Sequence, residues 1–337
     1  MTYLEKVYMR TIQTATAERG TKKGMDIWQW DQGVAMFGFV KAYEKTGDKR
    51  IIDFIKQWID EKIDEMNFGY SINTTAPLLG VLKLLEIYPD NEKYIELCDS
   101  FAEWCIVKAP RADRGVFEHS CTENKYDNQV WADTLFMGCL FLLKYGMYKK
   151  NTIYIKEAIR QFILHAKFLK DYETGLIFHG YDCNDRMHKG VLWGRGNGWY
   201  SVASAELLTL LSPDVEGYDT IYDNFKEHVS AILKYQNVNG GWHTVINRDD
   251  TYIESSVTAA FAYALNVAED NNLVEFIDIN AKKKSIEFLK NQIDAEGNVN
   301  GGSLGTCVMA DYKKYNDIGV GYSYFTQGLA MMAMLFE

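Results

Sequence analysis

Seven residues, WGRGNGW from Trp193 to Trp199, set two tryptophans and Arg195 among three glycines. An arginine side chain offers a planar fork of donors that fits a carboxylate, and flat indole faces suit the C–H surface of a pyranose ring. Glycine sits where a chain turns sharply or where a ligand comes close to the backbone. The segment reads as a clamp for an anionic sugar, with Asn197 serving either as a helix cap or as a sugar contact. A dinucleotide fingerprint is the competing reading. It requires GxGxxG after a strand in a βαβ unit, and the chain has no such alternation.

A second group lies in VWADTLFMG, where Asp133 opens an apolar helix beside Trp131. Burial among aromatic rings raises the pKa of a carboxyl group, whereas a helix N-terminus favours its charged form, so the two effects compete here. A plain helix cap is an ordinary role for an aspartate followed by Thr134. Asp127, Asn128 and Trp131 just upstream shift the reading toward a site. In GLIFHGYD, His179 lies between aromatic residues in a short strand or turn. A lone histidine in such company is commonly structural, but this one shares a connection with WGRGNGW. The six histidines show neither HxxxH nor HExxH spacing and there is no Cys/His cluster, so no metal is expected. No cofactor motif, GxSxG elbow or Cys/His dyad is present.

Twelve segments must position these groups. Six are apolar nearly all round and rich in small side chains; they begin at Trp30, Asn73, Trp131, Asn197, Glu254 and Tyr322. A helix without a polar face has to be enclosed, and Gly, Ala and Ser let enclosed helices approach closely. Six others, over 3–18, 49–66, 91–109, 151–169, 218–236 and 272–292, carry charges on one face and apolar residues at three- and four-residue spacing on the other. Strict alternation of the two kinds predicts an all-α (α/α)6 barrel, six inner helices inside six outer ones, as a single catalytic domain over 1–337. An open solenoid would keep polar residues on its concave face. In the closed barrel every inner helix runs the same way, so the openings of all six meet at one end. That end collects Trp30, Asn73, Asp127, Trp131, Asp133, His179, Trp193, Arg195, Asn197 and Trp199.

The 337 residues are 47% apolar and 24% charged, with four prolines and no linker-like stretch. A formal net charge of −10 argues against general binding to nucleic acid or to an anionic membrane. The first twenty residues mix charged and apolar side chains, without a signal-peptide core, and no later run is long enough to span a bilayer, so a cytoplasmic protein is expected. The six cysteines form no CxxC pair and read as buried free thiols.

WQWDQG, WADTLFMG, IFHGYD, WGRGNGW and ESSVTAAFAYAL, in that order from about Trp28 to Tyr322, resemble the unsaturated rhamnogalacturonyl hydrolases of glycoside hydrolase family 105. The related unsaturated glucuronyl hydrolases of family 88 share the barrel and several site positions. The resemblance implies action on the C4=C5 double bond that polysaccharide lyases leave in a terminal uronic acid: water adds across the vinyl ether, and the glycosidic bond breaks by rearrangement. It implies Asp133 as general acid/base and Arg195 as partner of the uronate carboxylate. Trp193 and Trp199 would stack on sugar rings, and His179 would hold a hydroxyl or the water. The family commonly carries a second aspartate at the opening of the second inner helix, where this chain has Asn73; an amide cannot supply that negative charge. A non-hydrolytic carbohydrate-binding barrel is the alternative that Asn73 suggests. A glucuronyl hydrolase, another barrel glycosidase or an epimerase are further alternatives; an ordinary glycosidase needs two suitably spaced carboxylates.

Overall fold

The computed structural model describes residues 1–65, 69–121, 125–275 and 278–337; Met66, Phe276 and Ile277, which end or interrupt two of the expected helices, lie outside the described residues. In chain order the helices are α1 (Tyr3–Glu18), α2 (Trp30–Thr46), α3 (Lys49–Glu65), α4 (Ile72–Thr75), α5 (Leu78–Ile87), α6 (Glu92–Val107) and α7 (Leu140–Lys149). They continue with α8 (Thr152–Leu169), α9 (Gly194–Leu210), α10 (Tyr218–Lys234), α11 (Ser255–Asp270), α12 (Ile279–Gln292), α13 (Tyr312–Asn316) and α14 (Tyr324–Ala333). Helix α2 packs on α5 and α14, α5 on α7, α7 on α9, α9 on α11, and α11 on α14, which closes the inner ring. Around it α1 lies against α14, α3 against α2, α6 against α5, α8 against α7, α10 against α9, and α12 against α11. The barrel expected from the alternation of helix types is the barrel observed.

The pattern of small residues explains how the ring closes. A Cβ on Gly328 of α14 would stand 2.5 Å from the Val34 carbonyl oxygen of α2, and one on Gly38 would stand 2.5 Å from the Gly328 carbonyl oxygen. The two backbones touch only because neither glycine carries a side chain. Helix α9 is buried without interruption from Gly194 to Leu208, whereas α3 buries one stripe, including Ile51, Ile55, Ile59 and Ile63. Polar caps start the outer helices: the Asn91 side chain accepts the Tyr94 N–H, and the Asn151 side chain accepts that of Ile153.

Three inner helices differ from the sequence reading. The second breaks at Ala76–Pro77 into α4 and α5, because proline lacks the N–H of a continuing helix and its ring crowds the preceding turn. A capping box holds α4: Ser71 Oγ accepts from the Thr74 N–H, and Thr74 Oγ1 accepts from the Ser71 N–H. The third begins as a π-helical turn over Leu135–Cys139, with Trp131 already outside it in a strand. Such turns are rare and cluster at functional sites. The fourth starts at Gly194 rather than Asn197, so WGRGNGW is largely helical. Its glycines give clearance instead of a turn: a Cβ on Gly194 would meet the His243 carbonyl oxygen at 2.8 Å, and one on Gly198 would meet Ala260 Cβ of α11 at 2.8 Å.

Short antiparallel strands join the connections at the open end. Strand β1 (Gln129–Trp131) pairs with β2 (Gly180–Asp182), Trp131 facing Gly180, and β2 pairs with β3 (Met187–Lys189). Strand β4 (Trp242–His243) pairs with β5 (Ile253–Glu254). Among the described residues no helix is long and apolar enough to cross a membrane.

Candidate active site

A cavity of about 370 Å³ lies where the inner helices open, lined by Trp30, Asn73, His119, Cys121, Tyr126, Trp131, Asp133, Met137, Trp193, Arg195 and the segment Gly305, Thr306, Cys307. Six of the ten residues expected at the site line it: Trp30, Asn73, Trp131, Asp133, Trp193 and Arg195. A larger hollow of about 560 Å³ between α3 and α6 has Ile63, Tyr70, Leu97 and Phe101 in its wall. Its Asp64 and Lys93 pair with each other at 2.8 Å.

Asp133 follows β1 and precedes the π-helical turn, so its side chain enters the cavity from the ring. Strand pairing sets its neighbour. The β1–β2 register, extended by the Ala132 N–H donating to the His179 carbonyl, brings His179 Nε2 to 3.3 Å from Asp133 Oδ2. The two atoms are poorly aligned, and neither has another hydrogen-bond partner. His179 is fully buried, enclosed by Trp193 (ring centroids 4.1 Å apart), Trp131 (5.4 Å) and Tyr315 (5.7 Å). Burial holds its pKa below the ordinary histidine value, so the ring is neutral near pH 7. Burial also pushes the Asp133 carboxyl up, but the neighbouring His179 and His119 outweigh that effect and leave it below the ordinary aspartate value. The resting side chain is therefore a carboxylate.

Arg195, on the first turn of α9, is sandwiched between rings, its Cζ 4.6 Å from the Trp193 centroid and 4.4 Å from that of Phe325. Its Nη1 donates to Ser303 Oγ at 2.5 Å, the Ser303 carbonyl at 3.1 Å and Ser256 Oγ at 3.3 Å, and Nη2 donates to the Leu304 carbonyl at 2.9 Å. Nε has no partner. Nε is buried, and Arg195 meets the cavity as one of its lining residues. Glu254 organises the acceptors: it caps α11 through the N–H groups of Ser256 and Val257, accepts from Ser256 Oγ, and accepts the Ser303 N–H at 2.8 Å.

Trp30 stacks on Phe325 at 5.0 Å with 28° between planes, and Trp131 stacks on His119 at 4.5 Å with 10° between planes, so both indoles are backed by a second ring. Asp31 stands behind Trp30, where Oδ1 accepts the Phe325 N–H at 2.6 Å. Burial pushes its carboxyl up to about 7 against that hydrogen bond and the charge of Arg195.

Residues 3–336 match the model of Glycosyl Hydrolase Family 88. The chain belongs to that family. It is 31% identical to the unsaturated rhamnogalacturonyl hydrolase YesR of Bacillus subtilis (strain 168), over 94% of this chain and 88% of that protein. A crystal structure described as a possible member of the GH105 family, from Salmonella enterica serovar Paratyphi A, superposes with a TM-score of 0.92 at 28% identity, covering 98% of this chain and 93% of that one. The unsaturated glucuronyl hydrolase of Bacillus sp. GL1 superposes with a TM-score of 0.75 at 18% identity, over 99% of this chain and 94% of that one, which shows the shared barrel.

Four expected residues of this family 88 chain stand away from the cavity. Asp127 is exposed in the turn before β1. Asn197 is fully buried and satisfied by backbone, accepting the Ile177 N–H and donating to the carbonyls of Ile177 and Trp193. It straps α9 to the preceding connection. Trp199 packs inside the ring against Phe136, because it falls on the face of α9 turned to the barrel interior. His179 stands behind Asp133 with no exposed surface for a hydroxyl or a water. In their place the cavity uses His119, Tyr126, Met137 and residues 305–307, and relies on Glu254, Ser303, Tyr315 and Phe325 behind it. Of these, Glu254 heads the apolar segment ESSVTAAFAYAL and Met137 lies in WADTLFMG, and neither was marked as a site residue by its spacing. Cys121 and Cys307 line the cavity and are only partly buried, unlike Cys98, Cys105 and Cys139. Among the described residues no group of three or more His, Cys, Asp or Glu side chains is placed to hold a metal.

Proposed function

We propose that this glycoside hydrolase removes an unsaturated uronic acid, Δ4,5-unsaturated galacturonate linked to rhamnose, from short oligosaccharides left by a polysaccharide lyase, with the whole barrel as one catalytic domain. One observation carries the mechanism. Among the described residues lining the cavity, Asp133 is the sole carboxylate, and it shares the cavity with Arg195. Displacement at the anomeric carbon uses two carboxylates on opposite sides of the bond. Hydration of a vinyl ether uses one group that gives a proton and later takes one.

The Arg195 guanidinium receives the uronate carboxylate where it lines the cavity, and Trp30 and Trp131 offer faces for the rings, the Trp193 ring being covered by His179 and Arg195. Bringing a second negative charge into the cavity disfavours the ionised form of Asp133, which then takes up a proton. That proton goes to C4, and positive charge develops at C5 and the ring oxygen. Water adds at C5 and its proton returns to the Asp133 carboxylate. The resulting hemiketal opens to a ketone, and the exposed anomeric hemiacetal releases the neighbouring sugar. Asp133→Asn should abolish the loss of alkene absorbance on an unsaturated galacturonyl-rhamnose disaccharide; retention of full activity would overturn the assignment. Tight binding of that disaccharide by the unaltered protein without turnover would favour the binding barrel instead. Cytoplasmic residence and a preference for imported disaccharides belong to the same proposal, and equal rates on long chains would count against them.

A further inference from the structure

We propose that Tyr315 is a positioning residue for this reaction: it fixes His179 as the Nε2–H tautomer, so that the imidazole presents a donor to Asp133. The inference rests on Asp133 as the acid/base, and it concerns a residue that lines no part of the cavity. Tyr315 lies on α13, fully buried, and its hydroxyl oxygen is 2.6 Å from His179 Nδ1. The same oxygen accepts the Met309 N–H at 3.0 Å. With that amide proton directed at the oxygen, the hydroxyl's own proton is the one available to Nδ1, and the proton of the neutral ring then sits on Nε2.

The other tautomer fails at both ends. An Nδ1–H would take the tyrosine proton's acceptor away, since the hydroxyl's two hydrogen-bond partners among the described residues are His179 Nδ1 and the Met309 N–H, and the second is a donor. It would also turn a lone pair of Nε2 toward Asp133 Oδ2 at 3.3 Å, acceptor against acceptor.

The surroundings are built to keep this contact. Gly190 has φ of +77°, and a Cβ there would stand 2.6 Å from the Tyr315 hydroxyl and 3.2 Å from His179 Cβ. Val308 packs into the space left by Gly180, where a Cβ would meet its Cγ2 at 2.9 Å. Residues 303–309 thus form one strap. Arg195 grips the strap at Ser303 and Leu304, and Tyr315 grips it at the Met309 amide. The anion-binding group and the acid/base are held in register through a single piece of backbone.

Tyr315→Phe keeps the ring and deletes the hydroxyl. Expected are a fall in kcat of about tenfold or more, a fraction of the ~100–10,000-fold that positioned proton transfer contributes, with KM changed by less than about twofold. A loss of structure alone would lower the active fraction without changing the tautomer. Nitrogen-15 histidine spectra of the intact unaltered protein therefore form the second measurement, with the His179 signals assigned by their loss in His179→Gln. Protonated Nε2 and bare Nδ1 are expected, and the Nδ1 signal should move in Tyr315→Phe. A protonated Nδ1 in the unaltered protein overturns the proposal even if Tyr315→Phe fails to fold, as does a folded Tyr315→Phe with unchanged kcat. Full activity of Asp133→Asn would instead remove the acid/base reading, and the tautomer measurement is independent of that result.

Discussion

Arg195→Lys tests the anion site most directly. The guanidinium commits Nη1 and one Nη2 proton to Ser303, Ser256 and Leu304, and its buried Nε has no partner. A lysine ammonium keeps the charge but has three tetrahedral donors, so holding the strap and meeting a carboxylate with two parallel bonds are incompatible. Each hydrogen bond to a charged group is worth roughly 1.5–3 kcal/mol, and the lysine recovers about one of the two. Losing the sandwich between Trp193 and Phe325 removes about 1 kcal/mol more. The sum, about 3 kcal/mol, corresponds to a fall of roughly 100-fold in kcat/KM. Most of it should appear in KM, because the substrate carboxylate keeps its charge through the reaction. Initial rates of alkene loss across a substrate series give both constants. Because Arg195 also holds the strap, the decisive comparison is a cycle with the methyl ester of the same unsaturated disaccharide. The unaltered enzyme should discriminate against the ester by about 100-fold and the lysine variant only a few-fold, on the same arithmetic. Equal losses on acid and ester would show that Arg195 acts on the strap and not on the carboxylate.

Gly328→Ala should destabilise the protein by about 1–3 kcal/mol, since its Cβ meets backbone rather than a movable side chain; an unchanged denaturant midpoint would mean that α2 and α14 are not held at this separation. Glu206, buried near the far end of α9, binds Lys41 at 2.8 Å and Lys144 at 2.9 Å. Its removal in Glu206→Ala should cost about 3 kcal/mol by taking away the carboxylate that both ammonium groups share, Lys41 being left with Glu44 at 3.7 Å, with kcat unaltered because the site lies about 16 Å away along the helix. Those lysines depress its carboxyl despite burial, so its contribution is present above the ordinary glutamate range and is lost as pH falls; melting curves of Glu206→Gln should lack that acid-side loss. Asp31 titrates in the opposite sense. With its carboxyl pushed up to about 7, its stabilising contribution is full below the ordinary aspartate range and is lost as pH rises through about 7. Melting temperatures of Asp31→Asn and the unaltered protein should diverge across that window, and parallel curves would show that Asp31 does not titrate there.

The barrel could be read from the sequence because its two helix types differ in composition. Segments apolar all round, such as 254–268, have to be enclosed, and stripes such as Ile51, Ile55 and Ile59 have to face inward from outside. What the periodicity did not show was local: the break at Pro77, the π-helical turn at Leu135 and the strands that carry Trp131 and Gly180. Those features decide the site. Asp133 meets His179 through a strand register, which depends on pairing between distant segments and leaves no periodic trace. Tyr315 and residues 303–309 lie in a connection without alternation or heptad spacing, so nothing in their order marked them. Asn197 and Trp199 lie away from the cavity for a simple geometric reason. Once α9 begins at Gly194, the helical turn that points Arg195 into the cavity sends the next two large side chains toward the preceding connection and the ring interior.

Charge placement around Arg195 gives Asn73 a physical meaning. Three carboxylates, those of Glu254, Asp133 and Asp31, act on this one guanidinium. Glu254 is saturated by three N–H groups and a hydroxyl, and Asp31 faces the Phe325 N–H behind Trp30. Only Asp133 turns a carboxylate into the cavity. On the proposed function, an arriving uronate meets one carboxylate in the cavity wall, and the simplest relief of that repulsion is protonation of Asp133, the state in which it would deliver a proton to C4. A carboxylate in place of Asn73 would have put two titrating groups on one cavity and divided that proton between them. On the proposed mechanism, the amide leaves Asp133 as the one carboxylate among the described residues that line the cavity.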